Sequence, residues 1–222
     1  MTPETAHLPG VPMREKLDRL ARNRIAAGAL LFGWISTAYF LPNRHPIFSV
    51  RSVPATAPDV LTPLRLQWTW VYVSYYPFIA GAFFLGRTPE LRMKFSRAMG
   101  LAALFAAIVF VCFPTRIPRE AYPIVGVGWA ADLLRRLRAA DVDGACLPSM
   151  HVAMSLLSAA AYGESFPKFR VPAGAWAALI VYSTMATKQH YFLDAVAGAV
   201  LAASAAYCAN SAKRSWDPRT PR

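Results

Sequence analysis

Apolar residues gather in six runs, approximately Ile25 to Leu41, Leu66 to Gly86, Ala98 to Phe113, Met150 to Phe166, Val171 to Thr187 and Tyr191 to Ala209. Each is bounded by Arg, Lys or Pro and approaches the roughly 20 residues that a perpendicular membrane span needs. None alternates polar with apolar positions, so the pattern excludes lumen-lining strands of a β-barrel. It predicts an all-α fold, an integral membrane bundle of six transmembrane helices. Between the third and fourth runs, Gly128 to Arg138 has helical amphipathicity with Trp129, Leu133 and Leu137 as its apolar stripe. That segment reads as a short outer-face helix lying in the interface, where it anchors the fold or attracts an anionic headgroup.

No repeat, low-complexity tract or linker divides the chain. The layout is a basic leader over 1–24, a membrane domain over 25–209 and a basic tail over 210–222. Most of the 18 prolines fall between or at the ends of the runs, where they interrupt no helical ladder. The leader holds Glu4, Glu15 and Asp18, and Ser36-Thr37-Ala38-Tyr39 is a poor cleavage site, so the first run reads as an uncleaved helix. Within the leader, Met13, Leu17 and Leu20 have the spacing of an interfacial helix on the inner leaflet, or of a topogenic leader with no other role.

Composition agrees with a membrane class: 55% hydrophobic and 16% charged residues, with a mean hydropathy of +0.31. The net charge of +12 first points to polyanions. Assigned to sides with the N-terminus inside, however, 15 Lys and Arg fall on inner segments and nine on outer ones. This bias predicts both termini in the cytoplasm. Lys and Arg form no contiguous patch and no Gly-rich phosphate loop is present, which sets aside nucleic acid and nucleotides as partners. Cys112 and Cys146 fall towards the outer face, where a bridge is permitted, although free thiols are the simpler expectation.

An ionisable group placed in or against a span is costly, and so marks a functional site by default. Asp194 falls inside a run, while His151, His190 and Lys188 stand at outer ends. In His190-Tyr-Phe-Leu-Asp194 the two end residues share a helix face if the sixth helix begins there. The carboxylate can then fix the imidazole tautomer and free its other nitrogen as nucleophile or base. The same spacing suits a buried self-satisfied pair, or two metal ligands with His151 as a third. In Pro148-Ser149-Met150-His151, Pro and Ser form a good helix start. Its free N–H groups and hydroxyl also form a cradle for a phosphate, with His151 beside it as proton donor. The two motifs lie 39 residues apart and meet at one membrane face. A phosphate explains the Pro-Ser pair and the nearby basic residues, which a metal ion does not.

These residues resemble the type 2 phosphatidic acid phosphatase superfamily, whose membrane members have six helices. Pro148 to His151 is similar to its second motif, usually Pro-Ser-Gly-His, and His190 with Asp194 to the His-x-x-x-Asp of the third. The resemblance implies that His190 attacks phosphorus, Asp194 orients it, His151 protonates the leaving oxygen and Ser149 helps hold the phosphate, with neither metal nor cofactor. Two departures stand out. The arginine six residues before the histidine is Thr184 here, leaving Lys188 to supply charge. The first motif is absent as such, with Arg116 and Arg119 in Phe113-Pro-Thr-Arg-Ile-Pro-Arg119 at its place. Pro-Ser-Met-His-Val-Ala and His-Tyr-Phe-Leu-Asp look most like the branch related to inositol phosphorylceramide synthase.

The expected activity is cleavage of a membrane lipid phosphate or diphosphate at the outer face, by hydrolysis or by transfer to an alcohol acceptor. A non-catalytic membrane binding protein keeps the fold without the chemistry, and a proton-relay transporter requires ionisable groups across the membrane instead of at one face. The sequence does not give the oligomeric state.

Overall fold

The computed structural model describes residues 23–141 and 144–214. The expected interfacial segment at Met13, Leu17 and Leu20 and the tail beyond Arg214 lie outside them. The chain is mostly helical. Among the described residues, three helices are long and apolar enough to cross a membrane: α1 (Arg24–Arg44), α5 (Pro89–Cys112) and α9 (Phe192–Arg214) over Phe192–Ser211. Helices α7 (Met150–Ser165) and α8 (Arg170–Ala186) cover the fourth and fifth runs with 16 and 17 residues. At 1.5 Å per residue they reach roughly 24–26 Å, a little under the hydrocarbon thickness.

Helix α5 lies at the centre and packs against α1, α7 and α9. Ala98, Ala102, Ala103 and Ala106 recur on one stripe and are buried. Small side chains there let neighbouring backbones approach, which is how helices associate where lipid supplies no hydrophobic drive. Phe110, Met99 and Met154 fill the remaining space.

Three elements differ from the sequence expectation. The second run is not one helix but a 3₁₀ turn at Leu66–Trp68, then α3 (Thr69–Val73) and α4 (Tyr75–Phe84). Pro77 has no N–H for the Val73 carbonyl, and the Ser74 hydroxyl donates to the Val71 carbonyl at 2.6 Å, so the helix breaks there. The third helix starts nine residues before Ala98, because Thr88 caps it by accepting from the Leu91 N–H at 3.2 Å and Pro89 opens its first turn. Arg92, Lys94 and Arg97 are therefore helical, not in a loop; Lys94 pairs with Glu164 at 2.6 Å. The amphipathic helix is present as α6 (Trp129–Ala140), but its buried face centres on Ala131 and Leu134, with Leu133 and Leu137 half-buried and Trp129 exposed.

At the end of the bundle that carries the candidate residues, β1 (Arg51–Ser52) pairs in parallel with β2 (Thr115–Arg116). Thr115 also holds the segment before α7: its carbonyl accepts from the Cys146 N–H at 3.1 Å and its hydroxyl from the Leu147 N–H at 2.8 Å. The short α2 (Ala57–Leu61) packs its capping Asp59 into the interior.

Candidate active site

Two helix starts and one turn build the site. Ser149 caps α7, its hydroxyl accepting from the Val152 N–H at 3.3 Å, while its own N–H donates to the Asp194 carbonyl at 3.0 Å. That backbone bond fixes the start of α7 against the start of α9. After α8, the Thr184 carbonyl accepts both the Gln189 and His190 N–H groups, at 2.9 and 3.0 Å, which turns His190 inward. The helix then begins at Phe192, two residues later than the His-x-x-x-Asp reading requires. Asp194 accordingly acts from the first turn, its Oδ2 accepting from the Tyr191 N–H at 2.7 Å.

The imidazoles face one another, His151 Nδ1 standing 3.3 Å from His190 Nε2. On its far side His190 presents Nδ1 to Asp194 Oδ2 at 3.7 Å, an ion-pair approach longer than a hydrogen bond. Cys146 lies against both: its thiol donates to Asp194 Oδ2 at 3.1 Å and is 3.6 Å from His190 Nδ1. Burial, then the Asp194 carboxylate, push this thiol well above its ordinary pKa. The Asp194 Oδ1 atom is buried without a hydrogen-bond partner. His151 is gripped by aromatics, with the Tyr72 hydroxyl 2.9 Å from its Nε2 and the Tyr75 ring centroid 4.5 Å from its own.

Positive charge reaches the site through Arg119. Its guanidinium donates to the Asp141 carbonyl at 2.9 Å and to Asp141 Oδ2 at 2.5 Å, and Tyr39 donates to Asp141 Oδ1 at 2.5 Å. Burial pushes the Asp141 carboxyl up, but Arg119 and the Tyr39 hydrogen bond outweigh it and leave the group below its ordinary value. Arg116 also lines the site and forms an exposed pair with Glu120 at 3.2 Å.

Lys188 is placed differently. It is buried, adopts φ 55°, and donates from Nζ to the Asp59 carbonyl at 2.6 Å. The Asp59 carboxylate accepts from the Phe192 N–H at 2.8 Å, so Lys188 and Asp59 together brace the turn that carries His190. Thr184, where the resembled motif has arginine, is buried and returns its hydroxyl to the Val181 carbonyl at 2.7 Å.

Two recesses meet at the histidine pair. A polar one of about 230 Å³ is lined by Arg116, Arg119, Cys146, Gln189 and His190. An apolar one of about 440 Å³ lies between α1, α4 and α7 and is lined by Ile35, Phe40, Tyr75, Tyr76, Met150 and His151. The arrangement can hold an anion at the polar end and hydrocarbon at the other, with two imidazoles at their junction.

Sequence reasoning did not find Tyr72, Asp141, Asp59 or the contacts of Cys146. Only Asp59 had a local signal, the Thr56-x-x-Asp59 capping box. The cysteines are free thiols: Cys112 exposed, Cys146 buried, Cys208 partly exposed. The three-ligand metal alternative with His151 is not the grouping that forms, since His190 and Asp194 gather with Cys146, their ligand atoms within 4.8 Å. A family model described as PAP2 superfamily matches residues 45–208. No curated protein and no solved structure matches the chain.

Proposed function

Because the chain belongs to the PAP2 superfamily, we propose that it is a six-span membrane enzyme that cleaves a phosphoester of a lipid phosphate or diphosphate through a phosphohistidine. The observation that carries this reading is the facing pair, His151 Nδ1 and His190 Nε2 at 3.3 Å, at the junction of a polar and an apolar recess. A phosphoryl group entering from the polar recess would have a nucleophile and a proton donor side by side at its end. His190 Nε2 attacks phosphorus, the bond to the leaving oxygen breaks, and His151 gives that oxygen its proton. Asp194 stabilises the charge that His190 gains. Arg119, Arg116 and the start of α7 at Ser149 offset the charge of the equatorial oxygens. Lys188 acts one layer out, by bracing the turn. The mechanism uses no metal or cofactor. Water or an alcohol then takes the phosphoryl group from His190.

The basic bias of the inner segments supports cytoplasmic termini and a site on the outer face. Headgroup transfer to a lipid alcohol, as in the branch related to inositol phosphorylceramide synthase, is the second reading. It is favoured by a further recess that also reaches His151, past Tyr72 and Leu137.

The deciding experiment measures phosphate release by the detergent-purified protein from a panel of lipid phosphates and diphosphates, with and without acceptor alcohols. His190→Ala should lose at least about 10³-fold in turnover. Full turnover in that variant overturns the phosphohistidine, and dependence on an acceptor selects transfer.

A further inference from the structure

Cys146 Sγ, His190 Nδ1 and Asp194 Oδ2 form a triangle with sides of 3.1, 3.6 and 3.7 Å. A tetrahedral zinc ion with bonds of about 2.0–2.3 Å sets its ligand atoms roughly 3.3–3.6 Å apart, so small shifts bring all three onto one ion. The donor set is thiolate, imidazole and carboxylate, which selects a soft or borderline divalent cation over magnesium or calcium. All three residues are less than a tenth exposed, and Asp194 Oδ1 is buried without a partner. One thiolate and one carboxylate neutralise a divalent cation, so the filled site has no net charge to desolvate. The approach is the polar recess on which Cys146 and His190 open, and its Arg119 is matched by Asp141.

We propose that Cys146, His190 and Asp194 form an inhibitory site for Zn²⁺ or a similar cation, superimposed on the phosphate chemistry. On binding, the Cys146 thiol releases its proton to water and the sulfur bonds the metal. His190 gives the metal its Nδ1 lone pair, so the single ring proton of the neutral imidazole resides on Nε2. That nitrogen then has no lone pair with which to attack phosphorus. No electron changes hands, and the fourth metal position is left to water. Binding stands on the geometry alone; the silencing rests on His190 being the nucleophile.

Cd²⁺, which replaces Zn²⁺ and gives an ultraviolet thiolate charge-transfer band, reads the site without reference to activity. Titrated into the full-length protein in detergent, it should produce a band saturating at one equivalent. The same band should appear in the double variant Cys112→Ser, Cys208→Ser and be lost in Cys146→Ala. Cys146→Ser, which keeps the size and hydrogen bonding of the side chain, should also lose it and serves if the alanine variant does not fold. No band in the wild type, or a band that survives loss of Cys146, overturns the site and leaves the His190 reading untouched. On the same preparations, Zn²⁺ should lower wild-type turnover about tenfold or more, reversibly with EDTA, and change each Cys146 variant less than about twofold relative to its own metal-free rate. Cadmium held through Cys146 with wild-type turnover unchanged by Zn²⁺ overturns the silencing. Phosphohistidine trapping on the metal-free enzyme then decides separately whether His190 is the nucleophile.

Discussion

Ser149 is fully buried, and its hydroxyl is already engaged as the cap of α7. Ser149→Ala should therefore lower stability by about 1 kcal/mol whatever its effect on turnover, seen as a fall in thermal midpoint in detergent. Asp141 gives a pH dependence with a definite sign. Its carboxyl is held below its ordinary value, so its pairing with Arg119 stabilises the fold above about pH 4 and that contribution is lost as pH falls through the depressed value. Unfolding followed from pH 7 downward should show this acid loss, and Asp141→Asn should flatten it while costing about 1–3 kcal/mol at neutral pH. The residues that converge here were legible to different degrees. His151, His190 and Asp194 are written in short motifs, because His190 and Asp194 come from one turn. Tyr72 reaches His151 across 79 positions and Asp59 reaches Phe192 across 133, and no local pattern records contacts that only tertiary packing makes.

Helices α7 and α9 meet at a glycine. A Cβ on Gly198 would lie 2.5 Å from the Ser149 carbonyl and 2.9 Å from Val152 Cβ, and neither backbone nor a β-branched side chain can yield cheaply. Alanine normally strengthens a helix relative to glycine, but at Gly198 the sign should reverse, with about 1–3 kcal/mol lost and the two motif segments pushed apart. Gly174 on α8 is the control: a Cβ there meets nothing within 4 Å, so Gly174→Ala should gain roughly 0.5–1 kcal/mol. Thermal unfolding of the pair in detergent checks both signs. Each of the six apolar runs coincides with helical structure, because burial and lipid both demand the same apolar length. Their ends were less legible: Thr88 and Pro89 begin α5 among charged residues, and Ser74 with Pro77 divides what hydropathy alone joins. Caps and breaks are decided by single hydrogen bonds, which an average over a window does not register.

Across the whole molecule, the proposed orientation puts Cys112, exposed at the end of α5, outside and Cys208, late in α9, towards the cytoplasm. A membrane-impermeant maleimide added to intact cells should label Cys112, and Cys208 only after permeabilisation; the opposite pattern inverts the topology. The +12 charge bears on the same question, since the proposed orientation puts most of it in inner segments and only a few basic residues near the histidines. The bond from the Ser149 N–H to the Asp194 carbonyl, and that from the Phe192 N–H to Asp59, set an order on biosynthesis. Asp59, Cys146 and Ser149 precede residues 190–194 in the chain, so their contacts with that turn close only once it has been made. A chain that stops short of the last helix lacks the Asp194 carbonyl and the Phe192 N–H, and only the finished chain makes these two bonds.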